Sequence, residues 1–211
     1  MKLELDINEV LRYMGHGGND SIIVETAQAA IDSLLNVVQP RYHYVRLPLS
    51  AMELPGLDIR RHLAGCDGMY LMCATLGAAV DREIRRAERS SMLRALALDA
   101  AAGDAVEKLC DAAQDEIFHK ETADGRYITG RFSPGYGDLP LTVQPDLLRL
   151  CDAPRKIGLS LTQSGILVPR KSVTAILGTS SVPVEGKKRG CGSCSMTADC
   201  PFRKKGITCG S

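Results

Sequence analysis

The sequence predicts an α+β fold, a single domain of long helices packed on a sheet and followed by a short cysteine-rich C-terminal tail. Three observations predict it. From Leu93 onward, apolar or small residues recur every three or four positions through Leu96, Ala100, Gly103, Val106, Cys110, Ala113 and Ile117, which is one face of a long helix. Gly68 to Thr75 is a compact apolar run with the length of a buried strand. Four of the eight cysteines crowd the end of the chain, past a linker marked by Pro183 and Gly186. These features divide the chain into a domain over residues 1–182 and a tail over residues 183–211.

The elements follow in order. Asp6 starts a short helix that stops near Gly15. Asn19 or Asp20 caps a second helix, with Ile23, Ala27, Ala30 and Leu34 on its apolar face, and Pro40 closes that region. Tyr42 to Leu49 reads as a strand, and Asp58 caps a short helix through Ala64. After the strand at Gly68 to Thr75, Leu76-Gly77 turns into a long helical region broken near Ser90-Ser91. A further helix is predicted at Gln144 to Cys151, and strands at 156–162 and 173–178.

Composition narrows the function classes. The chain has 211 residues, a formal net charge of +1 and 45% hydrophobic residues, which suits an ordinary soluble protein and gives no case for nucleic-acid binding. No apolar run approaches membrane-spanning length, and the charged start Met1-Lys2-Leu3-Glu4 has no signal-peptide core, so the cytoplasm is the expected location.

The segment Arg131-Phe-Ser-Pro-Gly-Tyr-Gly-Asp-Leu-Pro140 carries the candidate chemistry. Pro134 and Pro140 exclude a helix interior or a central strand, while Gly135 and Gly137 let the main chain come close to a ligand. Arg131 offers a planar fork for a carboxylate or phosphate, and Tyr136 a π face for a cation. A small ligand bearing both a carboxylate and a positive centre would suit this set. A Pro/Gly turn with a surface arginine is the alternative.

The spacing R-x-x-x-G-Y-x-x-x-P, met by Arg131, Gly135, Tyr136 and Pro140, resembles the S-adenosylmethionine motif of the reactivation domain of cobalamin-dependent methionine synthase. A second stretch is similar to that domain's T-E-S-x-x-x-x-P-x-x-S-V segment through Thr162, Ser164, Pro169, Ser172 and Val173, with Gln163 in place of Glu. Residues from about 20 to 180 resemble this domain in a small, free-standing form. The resemblance implies a mainly antiparallel sheet. It implies that Arg131 holds the carboxylate of S-adenosylmethionine, that Glu107 answers its α-amino group or sulfonium, and that Ser133 and Gly135 add backbone contacts. Tyr136 is implied to sit over the methyl donor, facing the corrin, and is the candidate catalytic residue.

No corrin-ligating D-x-H-x-x-G segment is present, so the resemblance implies that cobalamin resides on a partner, a methionine synthase or another corrinoid protein. The implied activity is that of a methyltransferase component in reductive methylation, with a flavodoxin- or ferredoxin-like electron donor. Two other classes stay open: a non-catalytic S-adenosylmethionine-binding module, and an iron–sulfur electron-transfer protein acting through its tail.

The tail spacing C-x2-C-x5-C-x8-C, formed by Cys191, Cys194, Cys200 and Cys209, presents four thiolates for a [4Fe–4S] cluster or for zinc, with reactive thiols as the remaining reading. Residues 183–211 carry six basic and two acidic side chains, a charge that would offset a thiolate-bound cluster or meet an acidic carrier. The scattered Cys66, Cys73, Cys110 and Cys151 read as small buried hydrophobes.

Overall fold

The apolar run at Gly68–Thr75 is a strand buried along its whole length, and the other elements are arranged on its two faces. The computed structural model of the protein describes residues 3–17 and 20–184. In chain order it contains α1 (Ile7–Tyr13), α2 (Ser21–Val37), β1 (Arg41–Leu47), α3 (Leu57–His62), β2 (Gly68–Thr75), α4 (Ala78–Glu88), α5 (Met92–Ala123), β3 (Tyr127–Ile128), α6 (Gln144–Leu150), α7 (Ala153–Ile157), β4 (Ser160–Leu161), β5 (Leu167–Val168) and β6 (Ser172–Ser180). The main sheet has the order β1-β2-β6-β3, antiparallel throughout, and β4 and β5 form a separate hairpin. The α+β class and the antiparallel sheet agree with the sequence expectation.

β2 lacks an alternating pattern because both of its faces are covered. Tyr70, Met72 and Ala74 join Ala175 and Leu177 of β6 in a core shared with α1, α2, α4 and α5. Met69, Leu71 and Cys73 join Ile176 in a second core closed by α3, α6 and α7. Successive side chains of a strand point to opposite faces, so a strand with a core on each side must be apolar throughout.

Helix starts follow local chemistry. Asp6 accepts from the Asn8 amide at 2.8 Å, Asp20 from the Ile22 amide at 2.9 Å, and Ser91 from the Arg94 amide at 3.3 Å. Asn19, the alternative cap of α2, lies outside the described residues. Ser91 marks the predicted break between α4 and α5.

Three expectations are corrected. Asp58 does not cap α3. Gly56 is the cap position, and the amides of Leu57 and Asp58 are held instead by the Asp138 carboxylate at 2.5 and 3.0 Å. The expected strand at 156–162 is the end of α7, a left-handed Gly158 and only two strand residues, because Pro154 and Gly158 frame a helical turn. The apolar face of α5 is also rotated at its start. Leu96 is 47% exposed, while Ala95, Leu98, Ala101, Ala102, Ala105 and Leu109 are buried. Ala100, Val106, Cys110, Ala113 and Ile117 of the expected face are buried, so the departure is confined to the first turns of the helix. A Cβ at Gly103 would meet nothing within 4 Å, so this glycine does not serve a close backbone approach.

Candidate functional site

Arg131 reaches α5 because of strand alternation. Phe132 exchanges two backbone hydrogen bonds with Ile176 of β6, at 2.9 and 2.8 Å, and its ring packs in the second core with that residue. Its neighbour in an extended chain must point to the other face, where α5 lies. There the Arg131 side chain is 8% exposed. Its Nη2 donates to Glu107 Oε2 at 3.0 Å, and its Nη1 donates to Asp111 Oδ1 at 2.8 Å and Gln114 Oε1 at 3.2 Å. The structure thus brings the two predicted residues Arg131 and Glu107 together.

Asp111 and Gln114 were not among the sequence-predicted site residues. The signal for them was available: positions 107, 111 and 114 are spaced by four and three residues and share one face of α5. Glu107 and Asp111 are 44% and 46% exposed, so the cluster opens to solvent through its acids. Cys110 lies beneath them. Burial pushes its thiol up to about 12, against the pull of Arg131, so it stays protonated as an apolar spacer. Tyr13, at the end of α1, is also near: burial raises its hydroxyl, opposed by Arg12, and Glu107 adds to the rise.

The turn after Arg131 is held by its own backbone. Ser133 O accepts from the Tyr136 amide at 3.1 Å, Tyr136 O from the Leu139 amide at 3.1 Å, and Leu139 O from the Gly135 amide at 2.8 Å. Gly135 has φ +92° and Gly137 has φ +51°, conformations that favour glycine. A Cβ at Gly137 would collide with the Asp58 carboxylate, and one at Gly56 with the carboxylate of Asp138. The turn is therefore pinned from below by buried Leu139 and from the side by α3. Tyr136 stands out from it at 68% exposure.

The second motif is structural in its contacts. Thr162 and Ser164 bond to each other at 2.8 Å at the tip of the β4–β5 hairpin. Ser172 Oγ lies 2.7 Å from Pro169 O and 2.8 Å from Thr75 Oγ1, fastening the start of β6 to the end of β2. Arg170 N donates to Asp81 of α4 at 2.8 Å.

An open cleft of about 410 Å³ lies between α6, α7 and β4, lined by Leu148, Leu161 and two prolines. It includes none of the candidate residues. Its charged groups are committed, Arg149 to Asp146 at 3.0 Å and Asp152 to Arg155 at 2.6 Å. The Arg131 cluster, in which cation and anions converge on one spot, is the better candidate site.

Among the described residues, no group of three or more His, Cys, Asp or Glu is arranged to hold a metal ion. The expected ligands Cys191, Cys194, Cys200 and Cys209 lie outside the described residues. Among the described residues, no helix is long and apolar enough to cross a membrane.

Residues 95–183 match the family described as vitamin B12 dependent methionine synthase, activation domain. The fold is similar to that of the MetH reactivation domain bound to AdoHcy, with a TM-score of 0.60 and 14% identity, over 96% of this chain and 82% of that chain. No curated protein matches the chain in sequence. The matched segment runs from the first turn of α5 to just past β6 and contains Glu107, Asp111, Arg131, Ser133, Gly135 and Tyr136. The stretch from α5 to β6 is thus similar to the activation domain of vitamin B12 dependent methionine synthase, and the chain carries a fold similar to that of the MetH reactivation domain.

Proposed function

We propose that the protein binds S-adenosylmethionine beside Arg131 and supports reductive methylation of an oxidised corrin on a partner, a methionine synthase or another corrinoid protein. The observation that carries this reading is the convergence of Arg131 and Glu107 at the foot of the Gly-Tyr turn, inside the family-matched segment.

The residues fit the ligand. The Arg131 fork suits the α-carboxylate, and Glu107, exposed beside it, suits the α-ammonium. Ser133 and Gly135 bring main chain to the same edge, and the glycine leaves that edge uncovered by a side chain. Tyr136 projects into solvent, where a partner's corrin would approach. When bound, S-adenosylmethionine supplies a methyl cation equivalent, accepted by a corrin cobalt that also receives one electron from a flavodoxin- or ferredoxin-like donor. The chain's own contribution is to fix donor orientation and to present it on an exposed surface, a positioning role without acid–base chemistry. In this reading the tail cysteines hold a cluster or zinc, and the cluster would relay the electron.

The test mixes the protein with a cob(II)alamin-loaded corrinoid protein, S-adenosylmethionine and a strong chemical reductant. Methylcobalamin should appear in the visible spectrum. Equal methylation without this chain would overturn the proposal. Binding of S-adenosylmethionine with no methylation would assign the chain to the non-catalytic binding class.

A further inference from the structure

We infer that α4 presents an arginine-lined docking surface for an acidic one-electron carrier protein, an inference that rests on the reductive-methylation reading above. Arg82, Arg85, Arg86 and Arg89 recur at steps of three, one and three, so they share one face of α4. All four are exposed. Arg94 nearby faces a carboxylate, Glu83, at 2.9 Å, but these four have none within ion-pair distance among the described residues. The polar contact of Arg85 is the Asp81 carbonyl oxygen, at 3.2 Å. The acids of α4 do not neutralise the stripe. Asp81 is buried and accepts from the Arg170 amide at 2.8 Å, Glu83 accepts from Arg94 and from Ser33 of α2, and Glu88 lies at the stripe's edge.

The surface continues past α4. Arg85 shares a small cleft with exposed Arg170 and with Asp99, which pairs with Lys171 at 2.9 Å. Asp99 belongs to the start of α5, where Met92 and Leu96 are 71% and 47% exposed. The patch therefore joins apolar side chains to fixed cations, and methionine and arginine are enriched where proteins meet. No aromatic side chain interleaves the arginines, which argues against a single-stranded nucleic acid. Met92, Leu96, Ala100, Gly103 and Glu107 follow at steps of four, four, three and four along one face of α5. Leu96 is thus about 16 Å from Glu107 along the helix axis, and a protein docked on α4 stands beside the candidate site, where the corrin would approach. Exposed cations give fast, salt-sensitive association with an acidic partner. That suits a carrier that must leave once its electron is delivered. The carrier loses one electron, and the cob(II) corrin of the corrinoid protein gains it and becomes cob(I).

The experiment compares the full chain with a variant carrying Arg82→Gln, Arg86→Gln and Arg89→Gln, and with one carrying Arg82→Lys, Arg86→Lys and Arg89→Lys. Arg85 stays in place because it bonds to its own helix. A flavodoxin is the carrier probe and titanium(III) citrate the chemical reductant. Each drives methylcobalamin formation on a cob(II)alamin-loaded corrinoid protein with S-adenosylmethionine. The glutamine variant should need about tenfold more flavodoxin for half-maximal rate, the scale of three exposed charge pairs. The lysine variant should stay within about twofold of the wild type, and all three proteins should react alike with titanium citrate. Added salt should weaken the wild type's use of flavodoxin more than the glutamine variant's, because exposed charges are screened. Equal slowing with both reductants would assign the stripe to the fold or to the corrinoid protein, and an unchanged flavodoxin dependence would remove it from docking. Either result overturns the inference. Calorimetric titration with flavodoxin reads docking without S-adenosylmethionine or a corrin, and no binding by the wild type at low salt overturns it too. Flavodoxin binding that the glutamine variant loses, with no methylation under either reductant, would instead strike the reductive-methylation reading and leave the docking surface standing.

Discussion

Arg131→Ala separates what this residue does for the fold from what it does for a ligand. In the folded protein it makes three side-chain bonds, to Asp111, Glu107 and Gln114. Both acids are nearly half exposed, so their pairs are solvent-screened and are worth about 0.2–1 kcal/mol each. Removing the cation also leaves two like charges one turn apart on α5, which adds a few tenths of a kcal/mol, roughly. The expected loss of stability is about 1–2 kcal/mol, a fall in melting temperature of roughly 2–8 °C for a chain of this size. The effect on binding should be larger. A hydrogen bond to a charged group is worth about 1.5–3 kcal/mol, so the affinity for S-adenosylmethionine should drop roughly 10- to 150-fold.

The assay is calorimetric titration paired with a thermal melt on the same preparation. Arg131→Lys should keep more of the stability but recover only part of the affinity, because lysine preserves the charge and loses the fork. A folded Arg131→Ala variant that binds like the wild type would refute the carboxylate anchor. So would a variant whose affinity falls no further than its stability, because Arg131 would then be acting through the fold alone.

The remaining predictions concern acid stability and the tail. Burial pushes Glu121 up, but hydrogen bonds from Thr179, Tyr70 and Arg126, with the nearby Arg46, outweigh it and hold the carboxyl below its usual range. Glu116 is also held low, by the hydroxyls of Tyr42 and then Tyr44. A depressed carboxylate stabilises the fold above its unfolded value of about 4.3, and that stability is lost as pH falls through the lower folded value. Asp104 works in the opposite sense, because burial raises it. Tyr70→Phe should cost about 1.5–3 kcal/mol at neutral pH and progressively less below about pH 4, as the acceptor is protonated. A Tyr70→Phe penalty that does not change with pH would contradict this account of the Glu121 network. A chain ending near residue 184 should fold and still bind S-adenosylmethionine, and iron or zinc found in the anaerobic full-length protein should be missing from it. Retention of that metal by the shortened chain would remove Cys191, Cys194, Cys200 and Cys209 as its ligands.

What was legible in the sequence was what single segments encode. The run at Gly68–Thr75, the helix starts at Asp6 and Asp20, the break near Ser90-Ser91 and the Gly-Tyr turn each depend on neighbours in the chain. The strand expected at 156–162 failed on local Pro154 and Gly158, whereas the cap expected at Asp58 failed on a partner distant in sequence. Asp58 looked like a cap because aspartate ahead of an apolar run usually is one, yet the carboxylate that holds those amides is Asp138, 80 residues further on. The stripe on α5 misplaced Leu96, which is 47% exposed, while Ala100, Val106, Cys110, Ala113 and Ile117 on it are buried.

The candidate site shows why the arginine motif was informative and its partner harder to place. Arg131, Gly135 and Tyr136 lie within one short segment, so their spacing can be read along the chain without the fold. Glu107 is joined to them only by the fold, because extended backbone at Phe132 turns Arg131 toward α5. That same alternation exposes Asp111 and Gln114 to the guanidinium, and no pattern around the turn could have named them. Once Arg131 is known to face α5, the helical spacing of four and three from Glu107 identifies both. A cation on a strand-like segment is read by the helix face opposite, so its partners come as an i, i+4, i+7 set.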